Sequence, residues 1–218
     1  MEDLRKLITK LREDFTKGSL SELEVNKNPD IQFEIWLQQA VDSKIEEFQA
    51  MTLSTVSPEM KPSSRIVYLR EFKNNNFFFY TNYNSKKSLH LSKNPNASIS
   101  FFWPSLERQI IIEGVVEKST PEQADNYYNN RPYESKIGTW ASNQSQKLTS
   151  REELENKVEE LKKQFTPETI KRPDFWGGYV LKANYYEFWQ GRKSRLHDRI
   201  CYELVNNEWK INTNINWF

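Results

Sequence analysis

The chain of 218 residues carries 31 Lys and Arg against 30 Asp and Glu, a formal net charge of +1, so no global excess of charge draws it onto nucleic acid or an anionic membrane. It is 37% hydrophobic and 14% aromatic, with 7 Trp, 10 Tyr and 13 Phe, which is too rich in large apolar side chains for a disordered polymer and enough for a substantial core. Cys201 is the single cysteine; this excludes an intramolecular disulfide and a cysteine-based zinc cluster, and suits a reducing, cytoplasmic compartment.

The opening stretch MEDLRKLITKLREDF has no apolar run suited to a signal peptide, and nowhere is there an apolar run long enough to span a bilayer. Leu4, Leu7, Ile8, Leu11 and Phe15 recur at the helical period and predict an amphipathic helix over 3–16, ending before Gly18. Phe33, Trp36, Leu37 and Ala40 predict a second helix over about 31–48. From Met51 the period changes to that of strands: MTLSTV, SSRIVYLREF, NFFFYT, ASISFFW and RQIIIEGVVEK are separated by turn formers such as SPEMKP, KNNN and PSLE. Two helices interrupt the meander, because Thr120-Pro-Glu-Gln123 and Ser150-Arg-Glu-Glu153 each match a capping box. Strands resume at WGGYVLK, YYEFWQ, RICYELV and EWKI.

No repeat, low-complexity segment or Gly/Ser linker divides the chain. The expectation is one domain over 1–218, mainly β with flanking helices (α+β), carrying N-terminal helices within 1–48 and a helical insertion at about 120–165. About eight antiparallel strands leave exposed edges unless the sheet closes, which points to a small closed barrel with helices outside.

Several cationic groups stand where an anion would suit them. Arg65 and Arg70, five apart in one strand, point to opposite faces unless the strand bulges or ends between them; a solvated strand face is the plainer reading. Ser85 sits at an N-cap position before Lys86 and Lys87. Lysines oppose the dipole at that end of a helix, an opposition that a bound phosphate reverses; ordinary surface lysines are the alternative. His90 reads as a packing residue and receives no role.

Tyr127, Arg131 and Ser135 are spaced by four, but Pro132 ends the first helix near Asn130 and puts Arg131 in a turn. The stretch TWASNQSQKL reads as a loop whose amides and hydroxyls suit either a planar heterocycle or plain capping. In RKSRLHDR, Arg195, His197 and Arg199 alternate as if on one side of a strand. A histidine among arginines is disfavoured as a cation and is left as a donor or acceptor. Nucleophile elbow, Walker loop, dinucleotide-binding glycines and zinc spacing are all lacking from the sequence, and with 6 glycines a phosphate must be held by cations instead.

EFWQGRKSRLHDR resembles the C-terminal signature of the pyridoxamine 5'-phosphate oxidase family. The similarity extends in order through RIVYLR, FFYTNYNSKK, LERQ, NRPYESKIGTWASNQS and FWGGY, from about Leu11 to Ile211. The resemblance implies a homodimeric, FMN-binding split barrel that oxidises pyridoxamine 5'-phosphate or pyridoxine 5'-phosphate to pyridoxal 5'-phosphate with O2. It places FMN, at the subunit interface, on Arg65, Ile66, Val67, Tyr68, Leu69, Arg70, Tyr80, Thr81, Lys86, Lys87, Gln109, Gln144, Ser145, Trp189 and Arg199. Substrate contacts fall on Arg12, Phe15, Arg70, Tyr127, Arg131, Ser135, Arg195, Leu196 and His197, with Arg195 and His197 beside the reacting carbon.

The implied chemistry is hydride transfer to the flavin, with release of H2O2 and, from the amine, hydrolysis of an imine to aldehyde and ammonia; the protein supplies position and charge. Neither a metal nor nucleic acid nor a membrane enters this picture. Three departures stand out: Arg70 where the family usually has Lys, Phe15 where Tyr is common, and Thr213 in a tail lacking the usual Arg-Leu-x-Pro ending. The rival readings are an FMN split-barrel oxidoreductase acting on another substrate, and a non-catalytic carrier of pyridoxal 5'-phosphate or FMN.

Overall fold

The computed structural model describes residue 6 and residues 14–212. Most of the helix expected over 3–16, with Arg12, and the tail from Thr213 lie outside the described residues. In chain order the elements are helix α1 (Pro29–Asp42), strands β1 (Ala50–Val56), β2 (Pro62–Tyr68), β3 (Glu71–Lys73) and β4 (Asn76–Asn82), helix α2 (Lys86–Leu91), strands β5 (Asn96–Trp103) and β6 (Arg108–Lys118), helices α3 (Pro121–Asn129), α4 (Tyr133–Ala141) and α5 (Arg151–Gln164), and strands β7 (Trp176–Gln190), β8 (Asp198–Val205) and β9 (Glu208–Asn212). Two compact units emerge: the first takes in the described residues up to Phe48, Ser100–Ile112 and the described residues from Tyr185 on; the second takes in Gln49–Ile99 and Glu113–Asn184. Strands β5, β6 and β7 contribute residues to both.

In the first unit α1 starts as its sequence dictates, with Pro29 in the first turn and the Asn28 side chain accepting from the Asp30 N–H at 2.9 Å. It ends at Asp42, short of the expected 48. Lys44 adopts φ 54°, and the Ile45 and Lys44 N–H groups turn back to the Ala40 and Val41 carbonyls. This is a left-handed helix stop made without the glycine that usually announces one. Phe33 packs on Phe101 at 5.4 Å and Trp36 edge-on against Phe188 at 5.2 Å. Strand β8 pairs with the end of β7 so that Trp189 faces Arg199 across the ladder. The β8–β9 hairpin turns on Asn206 and Asn207, both at positive φ, the backbone that a two-residue turn matched to strand twist requires.

In the second unit the strand neighbours run β2-β1-β5-β6-β7-β4-β3. The path starts and finishes on one length of chain: Leu69 N–H donates to the Gln49 carbonyl, beyond the β1 end, and Arg70 N–H to the Phe78 carbonyl of β4. The strand SSRIVYLREF thus pairs first with β1 and then with β4, and no β2–β3 ladder forms. The antiparallel split barrel with flanking helices is the architecture expected, but the sheet is an open curl and not a closed barrel, since its end strands β2 and β3 follow each other in the chain without pairing. Leu53, Phe77, Phe79, Ile99 and Leu181 are fully buried in the unit's core. WGGYVLK and YYEFWQ, read as separate strands, form the single strand β7. At Gly114 a Cβ would lie 2.0 Å from the Lys182 carbonyl oxygen, so glycine is what permits β6 and β7 to approach there.

The capping signals place their helices. Thr120 and Gln123 form the reciprocal box of α3, and the Ser150 hydroxyl accepts from the Glu153 N–H at 3.2 Å to start α5. Helix α3 stops at Asn129 and Pro132 caps α4, leaving Arg131 in the turn. Ser135 is in α4, and α4 also takes in Thr139, Trp140 and Ala141, so the expected loop begins only at Ser142. Among the described residues no helix is long and apolar enough to cross a membrane.

Candidate active site

The second unit holds a cavity of about 810 Å³ lined by the β2 run, the end of β4, the start of α2, the α3–α4 turn and the loop after α4. Arg65, Ile66, Val67, Tyr68, Arg70, Tyr80, Thr81, Lys86, Lys87, Tyr127, Arg131, Ser135, Gln144 and Ser145 all line it. Leu69 does not; it is buried at 7% exposure. Arg65 and Arg70 share the cavity because the strand ends between them: β2 stops at Tyr68 and Arg70 pairs instead with β4.

The cations in this cavity are held by neutral groups. Arg65 donates through one guanidinium nitrogen to the Leu53 carbonyl (3.0 Å) and the Thr55 hydroxyl (2.8 Å), and that hydroxyl lies 3.1 Å from Nδ1 of buried His90. Thus His90, given no role from sequence, backs a cavity arginine through Thr55. Lys87 Nζ, in a residue only 8% exposed, donates to Thr81 Oγ1 (3.0 Å), Ser85 Oγ (3.2 Å) and Gln144 Oε1 (3.1 Å). Arg131 donates to Thr139 Oγ1 at 2.6 Å and lies over the Trp176 ring, 4.7 Å from its centroid. None of Arg65, Arg70, Lys86, Lys87 and Arg131 takes part in an ion pair among the described residues.

Burial without a counter-charge disfavours a cation. Desolvation lowers the pKa of Arg65 and of Arg131. It pulls Lys87, with the nearby Arg65 charge adding, from the ordinary 10.5 down to about 8. The Lys86 N–H donates to Ser145 Oγ at 3.2 Å, with Ser145 itself at φ 68°, tying the loop after α4 to the start of α2. Ser85 makes no side-chain cap to that helix. One wall is aromatic: Tyr80 and Tyr127 stack at 3.8 Å and 7°, and Trp176 lies near parallel at 5.7 Å from Tyr80. Burial, with the Glu71 charge adding, pushes the Tyr80 phenol up to about 12.

Sequence reasoning missed Trp176 and Thr139. Both were legible as family-motif residues, in FWGGY and in the GTWA segment, yet neither belongs to a type or spacing that announces a role.

The remaining expected residues, Arg12 aside, lie in the first unit. Gln109 is in its part of β6. Phe15 contacts Trp189 edge-on at 5.7 Å and His197 at 5.5 Å, and Trp189 and His197 lie 4.7 Å apart. His197 Nδ1 accepts from the Arg192 N–H at 3.0 Å, which leaves the ring proton on Nε2. The expected single strand face for Arg195, His197 and Arg199 does not form: Lys193–Arg195 is a helical turn with Ser194 and Arg195 at positive φ, and β8 begins only at Asp198. Arg195 and Leu196 are exposed. Arg199 is ion-paired with buried Glu187, whose carboxylate also accepts from Tyr185 Oη at 3.2 Å.

A family model described as pyridoxamine 5'-phosphate oxidase matches residues 37–165, and one described as the pyridoxine 5'-phosphate oxidase C-terminal dimerisation region matches residues 176–213. Proteins named pyridoxine/pyridoxamine 5'-phosphate oxidase are similar along nearly the whole chain. The Nostoc punctiforme protein is 47% identical over 94% of this chain and 97% of its own, and that of Actinobacillus pleuropneumoniae 48% identical over 91% and 94%. Among solved structures, PhzG from Burkholderia lata in complex with tetrahydrophenazine-1-carboxylic acid matches with a TM-score of 0.82 at 27% identity, covering 87% of this chain and 93% of its own. A pyridoxamine 5'-phosphate oxidase-related, FMN binding protein from Nostoc punctiforme shares the fold, with a TM-score of 0.69 at 17% identity over 87% of this chain and 97% of its own. On a family match spanning more than half its length and relatives near half identical along almost all of it, the chain belongs to the pyridoxine/pyridoxamine 5'-phosphate oxidase family of flavoprotein oxidoreductases.

Proposed function

We propose that the protein oxidises pyridoxamine 5'-phosphate and pyridoxine 5'-phosphate to pyridoxal 5'-phosphate with FMN and O2, as a homodimer with FMN at the subunit interface. The observation that carries this reading is the set of buried and half-buried cations, Arg65, Lys87 and Arg131, held by hydroxyls, a carbonyl and an amide instead of carboxylates. Such a cavity favours an anion, because a phosphate restores the stabilisation that burial removes from each cation. The residues fit FMN: two cationic groups and two hydroxyls, Arg65, Lys87, Thr81 and Ser145, suit its phosphate, and the aromatic wall of Tyr80, Tyr127 and Trp176 supports a flat ring system lying in the same cavity.

FMN, when bound, supplies the two-electron acceptor that the oxidation needs and returns to its oxidised form with O2, releasing H2O2. The chain's part is grip and orientation. Arg70, Tyr127, Arg131 and Ser135, all on the cavity wall, are assigned to the substrate's phosphate. Arg70, in place of the family's usual Lys, offers a planar fork where an ammonium offers a point charge. His197 presents Nε2–H as a donor, fixed by the Arg192 N–H on its other nitrogen, and Arg195 carries a positive charge on an exposed turn. These two are assigned to the substrate ring beside its reacting carbon, with Phe15 and Leu196 near them. Gln109, Trp189 and Arg199 are assigned to the flavin. The dimerisation region matched at residues 176–213 supports the homodimer.

A second reading draws on the PhzG likeness: a related enzyme whose crystals hold a polycyclic carboxylic acid makes another anionic substrate the runner-up. Anaerobic addition of pyridoxamine 5'-phosphate to the FMN-loaded protein separates the two. Bleaching of the flavin's visible band, with pyridoxal 5'-phosphate and H2O2 appearing when air is admitted, is the expected result. Persistence of the yellow colour with both vitamers would refute the assignment of substrate.

A further inference from the structure

We propose that Glu107 is a positioning residue, whose carboxylate tethers residues 16 and 17 and thereby keeps Phe15 against Trp189 and His197. The tether stands on geometry alone; its effect on turnover rests on the function proposed above, which puts Phe15 and His197 beside the substrate.

Glu107 follows the turn Pro104–Leu106 with φ 55° and ψ 40°, a left-handed backbone that disfavours a residue with a Cβ. It is 8% exposed. One carboxylate oxygen, Oε2, accepts two successive main-chain N–H groups, from Thr16 at 2.7 Å and Lys17 at 2.8 Å. Its own carbonyl accepts from the Gly191 N–H at 2.8 Å and from Gln190 Nε2 at 3.3 Å. A single residue therefore reaches by its side chain to the segment carrying Phe15, and by its main chain to the two residues that follow Trp189. Glu107 is in no ion pair among the described residues, so main-chain dipoles are what meet its charge, the kind of bond that gains most from an ionised acceptor.

The seating is close. A Cβ on Gly191 would lie 2.7 Å from Phe15 Cγ, and one on Gly18 would lie 2.9 Å from Gln190 Oε1. Further bonds run alongside: Lys17 Nζ donates to the Ser105 carbonyl at 2.8 Å, and the Leu20 N–H to Asp198 Oδ2 at 2.8 Å. These two are made by other residues and do not replace the pair of bonds next to Phe15. Phe15 has no polar side-chain atom, so its placement comes from its ring contacts with Trp189 and His197 and from the chain on either side.

The test compares FMN-loaded wild type with Glu107→Ala and Glu107→Gln by hydrogen exchange at the Thr16 and Lys17 amides, steady-state turnover of pyridoxine 5'-phosphate, and the thermal midpoint. In Glu107→Ala exchange at both amides is expected to quicken at least tenfold and kcat to fall at least tenfold, with flavin content and exchange in β4 unchanged. Glu107→Gln keeps an acceptor oxygen and is expected to lie between, a partial rescue that a steric or folding defect would not show. Unchanged exchange overturns the tether. Faster exchange with wild-type kcat, or a lowered midpoint with kcat per folded molecule intact, overturns the positioning role. If Glu107→Ala does not fold, Glu107→Gln decides by the same two readouts. Should wild type itself fail to turn over, the proposed function falls, and the exchange measurement still decides the tether.

Discussion

Lys87→Met should make the flavin-free protein more stable at neutral pH while weakening its hold on FMN. Burial lowers the Lys87 pKa from 10.5 to about 8. The sign follows from linkage: between those values the unfolded chain holds the proton and the folded chain has released it, so stability rises with pH across that window, and below pH 8 the cost of a buried ammonium is present in full. A displacement of that size corresponds to ~3 kcal/mol at pH 7 and to under ~1 kcal/mol at pH 10. Methionine fills similar space without charge. The groups it deserts keep other partners, since Thr81 Oγ1 still donates to Gln144 Oε1 at 3.0 Å and Ser85 Oγ stays 3.1 Å from Ser88 Oγ. Allowing about 1 kcal/mol for lost hydrogen bonds, the net gain is ~2 kcal/mol at pH 7, and it vanishes near pH 10.

Urea unfolding of flavin-free wild type and variant at both pH values measures this, with FMN affinity followed by fluorescence quenching. Other titrating groups cancel in the difference between the two proteins. A variant less stable than wild type at pH 7, or a gain that persists unchanged at pH 10, would refute the claim that Lys87 is a cation held at a cost for an anion.

Arg131→Leu removes the guanidinium that Thr139 and Trp176 position; KM for pyridoxine 5'-phosphate should rise about a hundredfold, consistent with ~3 kcal/mol for a charge-assisted bidentate contact, while FMN content stays unchanged. Arg195→Leu should lower kcat and leave the protein yellow; loss of bound flavin on purification would contradict the division of roles. Gly114→Ala places a Cβ 2.0 Å from a backbone oxygen of β7, which no side-chain rotation relieves, so the urea midpoint should drop by the equivalent of about 3 kcal/mol; an unaltered midpoint would show that β6 and β7 part at little cost.

The fold was legible where the signal was local. The capping box at Thr120, the N-cap at Ser150, the proline at 132 and the period-two strands each put an element near its place, because cap chemistry and strand alternation act over a few residues. The misses are conformations that the residue types conceal. Lys44 ends α1 in a left-handed turn, and Ser194 and Arg195 break the expected strand, with no glycine in either place to mark the departure. Of the site, the family motifs named the residues, but neither spacing nor composition revealed their partners. That Arg65 and Arg70 face one cavity depends on a strand changing neighbours at Leu69, and that Lys87 is buried depends on Gln144, 57 positions away.

The partners of these cations separate two kinds of positive charge in one chain. In the second unit Arg65, Lys87 and Arg131 bond to neutral oxygens; an arriving phosphate displaces a hydroxyl or carbonyl contact and leaves no charge behind. In the first unit Arg199 is paired with Glu187, and Arg192 with Asp198 at 2.7 Å. A phosphate bound there must compete with a carboxylate already in place, and breaking a half-buried pair strands its partner at a cost of several kcal/mol. The row RKSRLHDR is therefore better suited to holding His197 and Trp189 in fixed orientation than to binding phosphate, and Lys193 and Arg195, in no ion pair among the described residues, are its charges left to meet a substrate.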